Sequence, residues 1–226
     1  KVMAAKRTFT IGAIIPTMEN AIFARGLQAF QEELNSQGYT LLVSSTAYNP
    51  DVEHDQIRSL VSRGADALLL IGYDRDPGIY AFLKQRNVPA LVAWAFSKEY
   101  DLPSIGFDNR KSIYDLTMKV LDQGHREVAI ISGTTKGNDR AAERLAGIKD
   151  ALRDRSISIA NSAIIETPYD IKNGEDAMGV LMAAAIRPTV VICGNDVLAV
   201  GAIRRAQHMG LSVPEDVSIT GFDDIE

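Results

Sequence analysis

The sequence predicts an α/β fold built as two lobes, each a doubly wound parallel sheet with helices on both faces. Two observations carry that expectation. Short apolar runs alternate with amphipathic helical stretches along the whole chain, the pattern of parallel strands joined by right-handed crossovers. The alternation also starts twice, as strand, polar loop and helix, first at Phe9 and again from Asp108. With 226 residues, 46% hydrophobic and 23% charged, the chain can bury a substantial core in each lobe.

Residues 1–8 are basic and irregular and read as a linker preceding the first strand, Phe9–Ile15. A helix follows, with Phe23, Leu27, Phe30 and Leu34 in register and Gly38 as a left-handed cap. Strand Thr40–Ser44, helix Pro50–Arg63, strand Ala67–Ile71, helix Pro77–Arg86, strand Pro89–Trp94 and a short strand at Ser104–Phe107 complete the first lobe, residues 9–107. The second lobe, residues 108–226, has helix Arg110–Asp122, strand Glu127–Ser132, loop Gly133–Asn138 and helix Asp139–Arg153. Strand Ala163–Glu166 and helix Asp170–Ala185 come next. The run Val190–Cys193, bounded by Pro188 and Gly194, is a buried strand. The following helix has Val197, Leu198, Ile203 and Ala206 as apolar positions and ends at Gly210; strand Val217–Thr220 then leads into Gly221-Phe222-Asp223-Asp224. Polar residues thus gather at the carboxyl ends of strands, where parallel sheets bind ligands. The site is expected in a cleft between the lobes.

A net charge of −5 leaves no basic face that would itself predict nucleic-acid binding. One cysteine excludes an internal disulfide and a Cys-based zinc site, and fits a reducing compartment. No apolar run is long enough to span a bilayer and no secretory leader is visible, so a cytoplasmic location is expected. Gly133–Asn138 matches neither dinucleotide nor phosphate-loop spacing. His54, His125 and His208 share no metal-ligand spacing, and His125 after Gly124 reads as a helix-capping residue. Cys193 does not fit the G-x-S-x-G nucleophile pattern and reads as a buried, inert thiol. Asp223 and Asp224, as neighbours on extended chain, point apart and do not suit paired-carboxylate catalysis. No cofactor, metal or enzymatic activity is expected.

What remains is a set of polar and aromatic residues at strand ends and helix starts. Asp196 reads as the cap of its helix, leaving Asn195 to cap or to contact a ligand. On helix Asp139–Arg153 the core stripe is Ala141, Leu145, Ile148 and Leu152. Arg144 flanks it, about 75° from its centre at roughly 100° per residue, and Arg140 lies toward water. Arg144 can fork hydrogen bonds onto vicinal hydroxyls or a carboxylate, or form a surface ion pair with Asp139 or Glu143. Tyr169 either stacks on a ring or staples its helix start, and Trp94 either packs in the core or walls the cleft.

Several segments together, IGAIIPTMENAIFARGLQAF, IGFDNRKSIYDL, GHREVAIISG, RLAGIKDAL and RPTVVICGNDVLAVGAIRRAQHMGLSVPEDVSITGFDD, resemble the LacI/GalR family of bacterial transcription regulators. The resemblance runs from Thr8 onward. It implies that family's effector-binding domain, a type I periplasmic-binding-protein-like pair of lobes joined by three crossovers, acting as a homodimer. It further implies effector contacts at Arg144, Asn195, Asp223, Phe107 and Tyr169, with Trp94, Asn20 and Phe23 lining the same site. Trp94 stands where several sugar-binding members have an aspartate, a departure that speaks against a simple neutral hexose, and Asn20-Ala21-Ile22-Phe23 resembles the gluconate-regulator branch; a sugar or sugar acid is the implied effector. Operator DNA would be bound only by a helix-turn-helix preceding Lys1, and no membrane partner is implied. The chain also reads as truncated at Glu226, short of the segment that returns to the first lobe. Rival readings are an exported solute-binding protein and a nucleotide-using α/β enzyme; the first shares the fold and the second lacks its phosphate loop.

Overall fold

In the computed structural model, which describes residues 7–225, the chain divides after Phe107 into two compact units. Most of the linker expected over residues 1–8 therefore lies outside the described residues. The first unit contains β1 (Thr10–Ile15), α1 (Ala21–Ser36), β2 (Thr40–Ser45), α2 (Pro50–Ser62), β3 (Ala67–Ile71), α3 (Pro77–Gln85), β4 (Ala90–Ala93) and β5 (Ser104–Ile105). The second contains α4 (Asn109–Asp122), β6 (Val128–Gly133), α5 (Asp139–Asp154), β7 (Ile164–Thr167), α6 (Ile171–Met182), β8 (Val190–Cys193), α7 (Asp196–His208) and β9 (Ser218–Thr220). A 3-10 turn at Asn161–Ala163 was not anticipated.

Both sheets are parallel, in the orders β2-β1-β3-β4-β5 and β7-β6-β8-β9. Their strands feed both faces because successive side chains alternate sides. Leu68 and Leu70 pack with Ile57, Leu60, Ile79 and Leu83, while Leu69 and Ile71 pack with Phe23 and Leu27. In the second unit Ile130 and Ile192 meet Ile113, Ile148 and Leu152, and Ile131 and Cys193 meet Met178, Leu181 and Ala202. Strand order reverses between β1 and β3 and between β6 and β8. Crevices for ligands open at the carboxyl ends of such switch points.

Each of the seven α-helices among the described residues is N-capped by an Asn or Asp side chain. Gly38 and Gly210, with φ of 78° and 74°, end α1 and α7 as expected. Other readings change. In α7 the cap is Asn195, whose Oδ1 accepts the Leu198 N–H at 3.0 Å, and Asp196 is the first helical residue. The buried stripe of α7 is Leu198, Ala199, Gly201, Ala202 and Ala206, with Val197 and Ile203 only half-buried. His125 does not cap α4. Its Nδ1 lies 2.9 Å from the Thr189 hydroxyl, and Arg126 donates to the Leu121 carbonyl instead. Helix α6 stops at Met182, before Ala185. Cys193 is fully buried and desolvation pushes its thiol well above the ordinary range, so it is inert in the folded chain.

The glycines of α6 and α7 let these helices cross in backbone contact. A Cβ on Gly201 would lie 2.1 Å from the Ile171 carbonyl oxygen and 2.8 Å from the Glu175 nitrogen. Main-chain atoms cannot step aside, so overpacking at about 1–3 kcal/mol outweighs the ~1 kcal/mol helix-propensity gain of alanine. Gly201→Ala is therefore expected to lower the urea midpoint of the second unit. An unchanged or higher midpoint would contradict the close crossing.

Candidate functional site

The second unit concentrates its chemistry at the carboxyl edge of its sheet. Arg144 lies in the second turn of α5 and is only 8% exposed. Its Nη1 donates to Asn109 Oδ1 at 3.2 Å and its Nη2 to the Tyr169 hydroxyl at 3.0 Å. The guanidinium carbon sits 4.8 Å from the centre of the Phe222 ring, a cation–π contact. Asp223 is the facing carboxylate, but its Oδ1 is 3.9 Å from Nη1, at the limit of an ion pair. Arg144 Nε is buried and has no hydrogen-bond partner. A guanidinium removed from water with a donor unmet is costly unless another acceptor arrives.

Neighbouring elements aim these groups. Asp108 caps α4 by accepting the Lys111 N–H at 2.9 Å, which leaves the next residue, Asn109, buried and turned to Arg144. Tyr169 follows β7, and its ring rests on Gly133 at the end of β6; a Cβ there would lie 2.1 Å from the ring. Asp223 sits in a turn with φ of 117°, followed by Asp224 at 57°, conformations that non-glycine residues hold only under constraint. Burial pushes its carboxyl up to about 6; Arg144 opposes this and the carboxylate of Asp196 adds to it.

The other expected site residues lie in the first unit. Asn20 follows β1 and caps α1, accepting the Ile22 N–H at 2.9 Å. Phe23 is buried in the core and meets Trp94 edge-on at 5.3 Å. Trp94 ends β4 at a φ of 58° and lies half-buried against Gly26, whose Cβ would be 2.5 Å from the indole. It is thus both core and surface at the carboxyl edge of that sheet. Phe107 closes the unit, 42% exposed.

Residues 8–226 match the family described as periplasmic binding proteins and the sugar-binding domain of the LacI family. The chain belongs to that family. It is similar to catabolite control protein A of Priestia megaterium, at 28% identity over 98% of this chain and 67% of that protein. It is also 30% identical to the HTH-type transcriptional repressor PurR of Escherichia coli, over 99% of this chain and 66% of that protein. A solved LacI family transcriptional regulator from Silicibacter pomeroyi superposes with a TM-score of 0.88 at 26% identity, covering 96% of this chain and 80% of that one. The chain spans about two thirds of the length of the curated relatives it matches.

In this LacI-family module the structure brings Arg144, Tyr169 and Asp223 into one cluster and makes Asn195 a helix cap at the same sheet edge. As a cap, Asn195 has its Oδ1 engaged and keeps its amide Nδ2 to offer. The surface ion pairs considered for Arg144 are made by other residues: Arg140 pairs with Asp139 at 2.7 Å, and Arg110 approaches Glu143 at 3.9 Å. Arg140, expected in water, is 7% exposed, because the start of α5 is enclosed and Asn138 and Ala141 are buried beside it. The divergence expected of Asp223 and Asp224 rested on extended chain. They occupy a positive-φ turn, with Asp223 half-buried and Asp224 exposed. Asn109 and Phe222 were missed. The signal for Asn109 was the pair Asp108-Asn109, since only one of two adjacent polar residues can cap a helix.

No helix among the described residues is long and apolar enough to cross a membrane, and none of their acidic, histidine or cysteine side chains cluster to hold a metal ion.

Proposed function

We propose that this module binds a small polar effector, a sugar or sugar acid, through Arg144, Tyr169 and Asp223, with Asn195 contributing its amide. The observation that carries this reading is the buried Arg144 with an unmet Nε–H beside a carboxylate too distant for a close pair. Hydroxyls or a carboxylate of a guest complete both groups: the guanidinium donates and Asp223 accepts. Binding is not accompanied by turnover.

In the whole protein the effector biases the relative orientation of the two units, and that bias reaches a preceding helix-turn-helix that reads operator DNA as a twofold dimer. Relatives named as HTH-type transcriptional repressors support this reading over an exported solute-binding protein, and a cytoplasmic location goes with it. A thermal-shift panel of sugars, sugar acids and purines tests the site. A sugar or sugar acid is expected to raise the melting temperature of the wild type but not of Arg144→Met. A shift that survives both Arg144→Met and Asp223→Asn would refute the assignment. Light scattering of the full-length protein is expected to give a dimer; a monomer at micromolar concentration would refute the twofold reading.

A further inference from the structure

Asp196 opens α7 one position after the cap, is half-buried, and its carboxylate bonds outside the helix. Oδ2 accepts the N–H of Ile225 at 2.8 Å, while the Asp196 N–H donates to the Phe222 carbonyl at 3.0 Å. The two bonds run in opposite directions between the start of α7 and the turn after β9. Oδ1 lies 2.0 Å from where a Cβ on Gly221 would be, so a side chain at 221 would evict the carboxylate. Between these anchors sit the two residues with positive φ, Asp223 and Asp224. Such conformations persist where the surroundings over-determine them.

We propose that Asp196 is a positioning residue for ligand binding: it straps residues 221–225 to the start of α7 and so holds Asp223 against Arg144. This rests on the reading of Arg144 and Asp223 as effector contacts and adds to them a residue that touches no effector. The same arrangement sets the charge of the site. The charged groups acting on Asp223 are Arg144 from α5 and Asp196 from α7, and the Tyr169 hydroxyl accepts from the same Arg144. Burial is the main cause of the raised Asp223 carboxyl, Arg144 counters it, and the like charge of Asp196 reinforces it. Asp196 thus holds the turn by hydrogen bonding and tunes it by charge, and the two roles separate by substitution.

The test needs no effector. Carbon-detected NMR titration of the Asp223 carboxyl and amide hydrogen exchange at Ile225 are measured in the wild type, Asp196→Asn and Asp196→Ala. An asparagine oxygen still accepts the Ile225 N–H, so Asp196→Asn is expected to keep the slow exchange while the Asp223 midpoint falls toward the ordinary carboxylate range. Asp196→Ala is expected to exchange at Ile225 about tenfold faster or more, the loss of a hydrogen bond to a charged group. Gly221→Ala, with Asp196 intact, is expected to reproduce that faster exchange. An Asp223 midpoint unmoved in Asp196→Asn, or Ile225 exchange unmoved in Asp196→Ala, would overturn the proposal. Either failure leaves the effector assignment standing, because that is decided separately by the thermal-shift panel with Arg144→Met.

Discussion

Arg144→Met is expected to abolish the effector-induced thermal shift while the chain stays folded. Methionine fills a volume similar to the arginine stem and leaves no charge to desolvate, so the exchange is mild for the core. What the fold loses is the pair of charge-assisted bonds to Asn109 Oδ1 and the Tyr169 hydroxyl, offset in large part by the relieved desolvation of the cation, for a net cost of about 1–2 kcal/mol. What the effector loses is larger: two charge-assisted hydrogen bonds amount to about 3–5 kcal/mol, roughly 10³-fold in Kd. Arg144→Lys is expected to recover only part of this, since an ammonium reproduces the charge but not the planar fork. An independent readout is the Asp223 carboxyl, which should rise above about 6 once the opposing cation is gone. A Kd within threefold of the wild type in Arg144→Met would remove Arg144 from the site, whatever its burial.

The fold was legible because parallel strands buried on both faces read as unbroken apolar runs, and Val190–Cys193 and Ala67–Ile71 match their strands to the residue. Helix starts were legible as Asx residues, but the choice within a polar pair was not. Both Asp108-Asn109 and Asn195-Asp196 use the first member as the cap and free the second for a tertiary bond, Asn109 to Arg144 and Asp196 to the Ile225 N–H. The cap oxygen must reach an N–H two or three residues ahead, so the first member wins where the helix begins directly after it. That rule would have found Asn109 and moved Asp196 from cap to strap. Arg140 was misread because helical periodicity describes one buried stripe, whereas the start of α5 is enclosed by chain that periodicity does not see. The left-handed backbone at Trp94 was invisible, since tryptophan does not mark a positive φ, and at Asp223 the aspartate marks one only weakly. Gly26 and Gly221 carried the complementary signal. Each is small because a particular side chain, the indole of Trp94 or the carboxylate of Asp196, occupies the space its Cβ would need.

Asp223→Asn is expected to stabilise the module at neutral pH and weaken effector binding at once. In the unfolded chain this carboxyl ionises near 3.8, whereas in the fold burial raises it to about 6. Between those values the folded state keeps a proton that the unfolded state has released. Unfolding therefore becomes easier as pH rises through this window, and the full penalty is in place above pH 7. The rise from 3.8 to about 6 corresponds to at most about 3 kcal/mol, and with the side chain 15% exposed little of it is screened away. Asparagine carries no such charge and tolerates positive φ better than most residues, so the turn at 117° adds no new strain. Melting temperatures of variant and wild type should converge near pH 4 and diverge upward to pH 8, the variant being the more stable. A difference that does not depend on pH would show that Asp223 is not held against its charge. The ligand moves the other way: hydroxyls that donate to Asp223 favour its ionised form, so wild-type affinity should climb as pH rises through 6 and that climb should vanish in Asp223→Asn. A carboxylate that burial holds against its charge, and that a donor would stabilise, is the pattern expected of a group serving binding rather than the fold.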